Sequence, residues 1–122
     1  MKTLHVGIAS FTEMKERTLN IARGKLKPST KEPKIWFTSA ESFARVLSDK
    51  NRALLEMIAE SEPQSLTELA ELTNRKKSNL SRTLKTMEAY GLVSIKRTNE
   101  GKVIPHVPYE NISLVLSVGG AA

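Results

Sequence analysis

Apolar positions along the chain change period several times, and each change marks a boundary. Residues 2–9 alternate, with Leu4, Val6 and Ile8 on one side and Thr3, His5 and Gly7 on the other, which predicts a half-buried strand. Ser10 and Glu13 are then spaced as a capping box, so a helix is expected from Phe11 to Arg23, with Gly24 as its stop. "KLKPSTKEP" is a polar, basic loop with two prolines, and "KIWFT" is a short apolar strand. Thr38 and Glu41 form a second capping box, which opens a helix carrying Phe43, Val46 and Leu47.

Beyond this the helical period dominates. A helix starting near Asp49 carries Leu54, Leu55 and Ile58, and Pro63 breaks it. Ser65 and Glu68 form a third capping box, leading a short helix with Leu66, Leu69, Ala70 and Leu72. A tight turn at Asn74 precedes another helix, which ends at Gly91. "LVSIKRT", "NEG" and "KVIPHVPY" predict a strand, a hairpin tip and a returning strand, which Pro105 and Pro108 confine to an edge or a bulge. "ISLVLSV" is a last strand and "GGAA" a loose end. From residue 49 the order is helix, helix, turn, helix, hairpin. The expected class is therefore α+β, a winged helix-turn-helix over residues 49–118 with a strand-helix-strand-helix extension over 1–48 and a tail at 119–122. The extension has too few apolar residues for a core of its own, so it is expected to dock on the winged domain or on a second copy.

Composition narrows the function. The 122 residues hold no cysteine, which excludes disulfides, thiolate nucleophiles and thiolate metal sites. No apolar run is long enough for a bilayer, and the N-terminus lacks the apolar core of a signal peptide, so a cytoplasmic location is expected. His5 and His106 have no carboxylate at ligand spacing, and no nucleophile motif, phosphate loop or acid pair is visible. No enzyme, metal or cofactor is expected.

The formal net charge is +6, with a pI near 9.7, and it is unevenly placed. Residues 49–73 carry a net −4, whereas residues 74–102 carry +6. The cations gather in "TNRKKSNLSRTLKTMEAYGLV", at the start of a helix, where the dipole makes them locally unfavourable. With Leu80 facing a core, Leu84 and Met87 fall within about 40° of it, and Ser78, Arg82 and Lys85 lie roughly opposite. Asn79 and Ser81 flank the stripe, and Arg75 is expected to project toward the polar side. Such a face suits the major groove of double-stranded DNA. Small Ser78 lets the backbone approach, Asn79 can read adenine, and Arg82 can read guanine or hold a phosphate. Lys76 and Lys77, costly in the free protein, join the dipole in attracting phosphate. The N-terminus of the preceding helix, with Ser65 or Thr67, can hold a further phosphate. Lys96, Arg97 and Lys102 of the hairpin can follow the neighbouring backbone or minor groove.

The stretch "LTELAELTNRKKSNLSRTLKTMEAYGLVSIKR" resembles the helix-turn-helix and wing of MarR-like and ArsR-like transcriptional regulators. The matching positions are Thr73, Ser78, Ser81-Arg82, Leu84-Lys85, Met87-Glu88 and Gly91-Leu92-Val93. Asn74 stands where those families carry a turn glycine, and Lys76 where they carry an N-cap serine; asparagine tolerates the left-handed backbone such a turn needs. The resemblance implies a homodimeric regulator on a pseudo-palindromic operator. With "KIWFTSAESFARVLS" included, the chain also looks like small prokaryotic regulators sometimes encoded beside a toxin. That implies an alternative, an antitoxin-like protein binding a partner toxin through its N-terminal region. Trp36, Phe37 and Phe43 are the expected core, dimer or partner contacts.

Overall fold

The computed structural model describes residues 2–24 and 33–116. The basic loop at residues 25–32 and the tail at 119–122 lie outside them. Two compact units are present, one built from residues 1–45 and 109–122, the other from 46–108.

The first unit is a three-stranded parallel sheet. Strand β1 (Thr3–Ile8) lies in the centre, between β2 (Ile35–Phe37) and β5 (Asn111–Leu116). Helix α1 (Phe11–Ala22) lies in the connection from β1 to β2, since parallel neighbours need a crossover rather than a hairpin. The expected Ser10 cap is present: its hydroxyl accepts from the Glu13 amide at 3.1 Å. Gly7 pairs with Trp36 and Ile8 with Phe37, while Thr3 to Ile8 pair in register with Asn111 to Leu116. Both faces of β1 are covered in part, because Val6 and Gly7 are each buried, as is usual in parallel sheets. Helix α2 (Ala40–Val46) follows β2. Ser39, not Thr38, caps it, accepting from the Ser42 amide at 3.0 Å. Both residues satisfy a cap pattern, and the strand running to Phe37 leaves the turn one residue later than the Thr38–Glu41 spacing suggests.

Two expectations are corrected here. The last strand does not extend the domain assigned to residues 49–118; it pairs with β1. The N-terminal segment is thereby given the third strand its own residues lack, and it has core residues of its own in Val6, Ala9, Ile35 and Phe37. Phe37 is only 1 % exposed and meets Phe43 edge to face at 5.4 Å, so Phe37 is an interior residue rather than a dimer contact. Trp36 is half-buried, and its ring lies against the Gly7 backbone.

The second unit holds α3 (Asp49–Ser61), α4 (Leu66–Thr73), α5 (Lys77–Tyr90), and the antiparallel pair β3 (Ser94–Arg97) and β4 (Val103–His106). Ser48 caps α3 and Ser65 caps α4, each accepting from the amide three residues on. The reciprocal arm of the α4 box reaches one residue back: Glu68 accepts from the Gln64 amide at 3.1 Å. The buried stripes are Leu54, Leu55 and Ile58 on α3, Leu69 on α4, and Leu80, Leu84 and Met87 on α5, with Leu92 and Val93 beyond it. Burying each large side chain contributes roughly 1.5–3 kcal/mol relative to exposing it. The hairpin closes through Thr98 and Lys102, with Gly101 at φ 81°, a value that favours glycine. Among the described residues no helix is long and apolar enough to cross a membrane.

Candidate nucleic-acid interface

Helices α4 and α5 are joined through Asn74, whose φ of 55° and ψ of 35° are left-handed. This is the conformation the sequence demands there, and asparagine meets it at low cost. The turn ends α4 and releases α5 in a new direction within three residues. Gly91 closes α5 in the same backbone region, at φ 86°. The Leu92 amide reaches back to the Met87 carbonyl at 2.9 Å and the Gly91 amide to that of Glu88 at 3.0 Å, a Schellman stop.

The two faces of α5 separate as the period predicts. Leu80, Leu84 and Met87 are buried, while Lys77, Ser78, Arg82 and Lys85 are exposed and Ser81 is half-buried. The start of α5 differs from those of α1, α3 and α4. Each of those has a serine cap and an acid in its first turn. Helix α5 begins at exposed Lys76, with no side-chain cap bond and no first-turn acid. Its amide ends, Lys76 and Lys77 together form a positive, open terminus. On α4, Thr67 is exposed and Ser65 is half-buried, its oxygen accepting the cap bond from Glu68.

Two expected cations are engaged elsewhere. Arg75 does not project freely. It is half-buried and turns along α5, donating to Asn79 Oδ1 from Nε at 3.0 Å and Nη2 at 2.6 Å, and to Thr83 Oγ1 at 3.4 Å. Its Nη1 is buried with no partner among the described residues. The short i, i+4 reach along the helix, and a polar stripe at positions 75, 79 and 83, draw the guanidinium inward. Arg97 likewise has a partner within the unit. It holds Glu88 of α5 with both terminal nitrogens, at 3.2 and 3.1 Å. These hydrogen bonds, aided by the Arg97 charge and opposed by burial, keep the Glu88 carboxyl below the usual glutamate range. The same partner raises Arg97 further above its ordinary value. The pair ties the hairpin to α5, a role sequence reasoning did not assign to Glu88. Lys96 is exposed, and Lys102 stands 3.8 Å from Glu100 at the hairpin tip. Thr83 also escaped the sequence reading; the 75-79-83 spacing was its one signal.

The model of the HVO_A0114 family matches residues 46–114, more than half of the chain. The chain belongs to this family. The match spans the whole run from α3 to β4, with Asn74, the exposed face of α5 and the Glu88–Arg97 pair inside it. This family member matches no curated protein. It is similar, at 18 % identity and a TM-score of 0.47, to a solved chain described as the predicted DNA-binding transcriptional regulator from E. coli. The likeness covers 83 % of this chain and 86 % of that one.

Proposed function

We propose that residues 46–108 form a winged helix-turn-helix that binds double-stranded DNA and regulates transcription. Helix α5 lies in the major groove and the β3–β4 hairpin serves as the wing. The chain acts as a homodimer, on half-sites about 10 bp apart or a multiple of that. The observation that carries the reading is the outer face of α5. It presents Ser78, Arg82 and Lys85 opposite a fully buried stripe, and it starts at an uncapped terminus flanked by Lys76 and Lys77. A helix face of that composition has small residues for close approach, one planar guanidinium for a base edge, and ammonium groups for phosphates. The left-handed turn at Asn74 and the Glu88–Arg97 tie support the reading, because they fix the reading helix against both neighbours. Trp36 and Phe37 are occupied within the sheet unit, so the antitoxin alternative gains no support from them.

The test is competition binding among duplex DNA from the region upstream of the chain's own gene, random duplex and RNA, with and without Arg82→Ala. The upstream duplex is expected to win. Arg82→Ala should weaken specific binding roughly ten- to hundredfold, and random-duplex binding far less, as befits a bidentate base contact. Equal losses on both duplexes would reduce Arg82 to a phosphate contact. No preference for duplex over RNA would end the DNA reading.

A further inference from the structure

We propose that Arg75 fixes the carboxamide of Asn79 so that this residue meets DNA as a hydrogen-bond donor only, selecting a G·C pair, through guanine, over the A·T pair that asparagine ordinarily reads. The inference rests on the DNA-binding reading of α5. Its basis is the pair of bonds from Arg75 Nε and Nη2, at 3.0 and 2.6 Å, that converge on the single oxygen Oδ1.

A guanidinium has donors and no acceptor, so only the oxygen of the amide can face it. A carbonyl oxygen has two lone pairs, and both are used here. Asparagine reads adenine by accepting from N6–H with its oxygen while donating to N7 from its nitrogen. The accepting half of that pairing is filled by Arg75. What remains is Nδ2, with two N–H groups, on a residue that is exposed. Two donors match the adjacent O6 and N7 acceptors of guanine, whereas an A·T pair offers them only one acceptor per base, N7 of adenine or O4 of thymine.

The arrangement resists release. Arg75 is half-buried, and its Nη1 already lacks a partner among the described residues. Freeing the Asn79 oxygen would strip the fork of its two shortest bonds and leave only the 3.4 Å contact to Thr83. An unpaired, partly desolvated guanidinium is a costly state, so the bonds persist when DNA arrives. Arg75 is thus a positioning residue: it sets the chemistry of its neighbour while touching no base.

Site selection from a randomised duplex pool tests this, using the full chain and the variants Asn79→Ala, Arg75→Met and Asn79→Asp. The position that loses its preference with Asn79→Ala is the one Asn79 reads. The parent should favour a G·C pair there over an A·T pair by roughly five- to hundredfold. Arg75→Met frees the oxygen and should move the preference to an A·T pair. Asn79→Asp keeps a partner for Arg75 and offers the second carboxylate oxygen as an acceptor, so it should exchange guanine for cytosine on the same strand or move the preference to an A·T pair. This variant carries the test if circular dichroism shows Arg75→Met to be unfolded. An A·T pair chosen by the parent, or the same guanine preference on the same strand kept by folded Arg75→Met or by Asn79→Asp, overturns the inference. So does a selected site with no position that depends on Asn79. A parent that selects no sequence at all overturns the DNA reading itself. A readout without DNA separates the two: the Asn79 side-chain amide resonances of the free protein should shift in Arg75→Met, and unchanged resonances refute the lock.

Discussion

Replacing Gly7 by alanine should destabilise the sheet unit, because the Trp36 ring occupies the space a Cβ would take. A Cβ at Gly7 would lie 2.5 Å from Cζ3, 2.8 Å from Cε3 and 3.0 Å from Cη2 of Trp36. Carbon atoms in good contact sit about 3.5–4.0 Å apart, so the ring must retreat by roughly 1 Å. The backbone cannot supply that movement, since β1 is bonded on both edges in register. Moving the ring off its seat costs about 1–3 kcal/mol, as other overpacked sites do. Alanine also stiffens the unfolded chain, which returns about 0.4–1 kcal/mol. The net loss should be about 1–2 kcal/mol. Trp36 is the one tryptophan of the chain, so its fluorescence during urea denaturation reports the change, and its native emission should shift to the red. In a Trp36→Val background, Gly7→Ala should become neutral or slightly stabilising, read by far-ultraviolet circular dichroism. A Gly7→Ala protein with unchanged emission and an unchanged or higher urea midpoint would refute the packing argument.

Other expectations concern the second unit. At Asn74, glycine should be tolerated, whereas valine should cost about 1–2 kcal/mol for its left-handed backbone, measured as a lower urea midpoint; equal stability of the valine variant would count against the turn. Glu88 should titrate below ordinary glutamates by carbon NMR, and Arg97→Met should return it toward them. A carboxyl depressed in the fold stabilises above its unfolded value and loses that contribution as pH falls through the folded one, so the tie of hairpin to α5 weakens only in acid. An Arg97→Met protein with the same Glu88 titration would refute the pairing. With Arg75 and Arg97 engaged, Lys76, Lys77, Arg82, Lys85 and Lys96 remain, joined by Lys102 beside Glu100. With Arg82 on a base edge, four to five phosphate contacts give a slope of log K against log salt near −4 per protomer, and Lys77→Gln or Lys85→Gln should each make it shallower by about 0.9. A parent slope shallower than about −2 would leave the basic face without phosphate partners.

Local chemistry was legible in the residues. Serines at 10 and 65 accept the cap bonds expected of them, and Asn74 and Gly91 take the left-handed conformations that end helices. Each of these depends on neighbours within four residues, and a pattern of that length is visible in a string. The partner of β1 was not. Nothing near Asn111 reveals that it lies beside Thr3, because an apolar strand pairs equally well with several others until the whole sheet is assembled. The fates of Arg75 and Arg97 were hidden for a related reason. Charge placed them with the other cations, but the direction of a long flexible side chain is decided by what it can reach: Asn79 and Thr83 in one case, Glu88 in the other. The basic face of α5 was legible as a face; which of its cations remain available was not.

Because Thr3 pairs with Asn111, the sheet lacks its third strand until residue 111 has been synthesised, long after β1. At about 5–20 residues per second, the ribosome spends several seconds on the intervening stretch. Local helical and hairpin contacts form within milliseconds or less, so the inner unit can mature while β1 still waits. The nascent chain therefore carries an incomplete sheet through that interval, a place for a chaperone to hold and for aggregation to begin if synthesis stalls before residue 111.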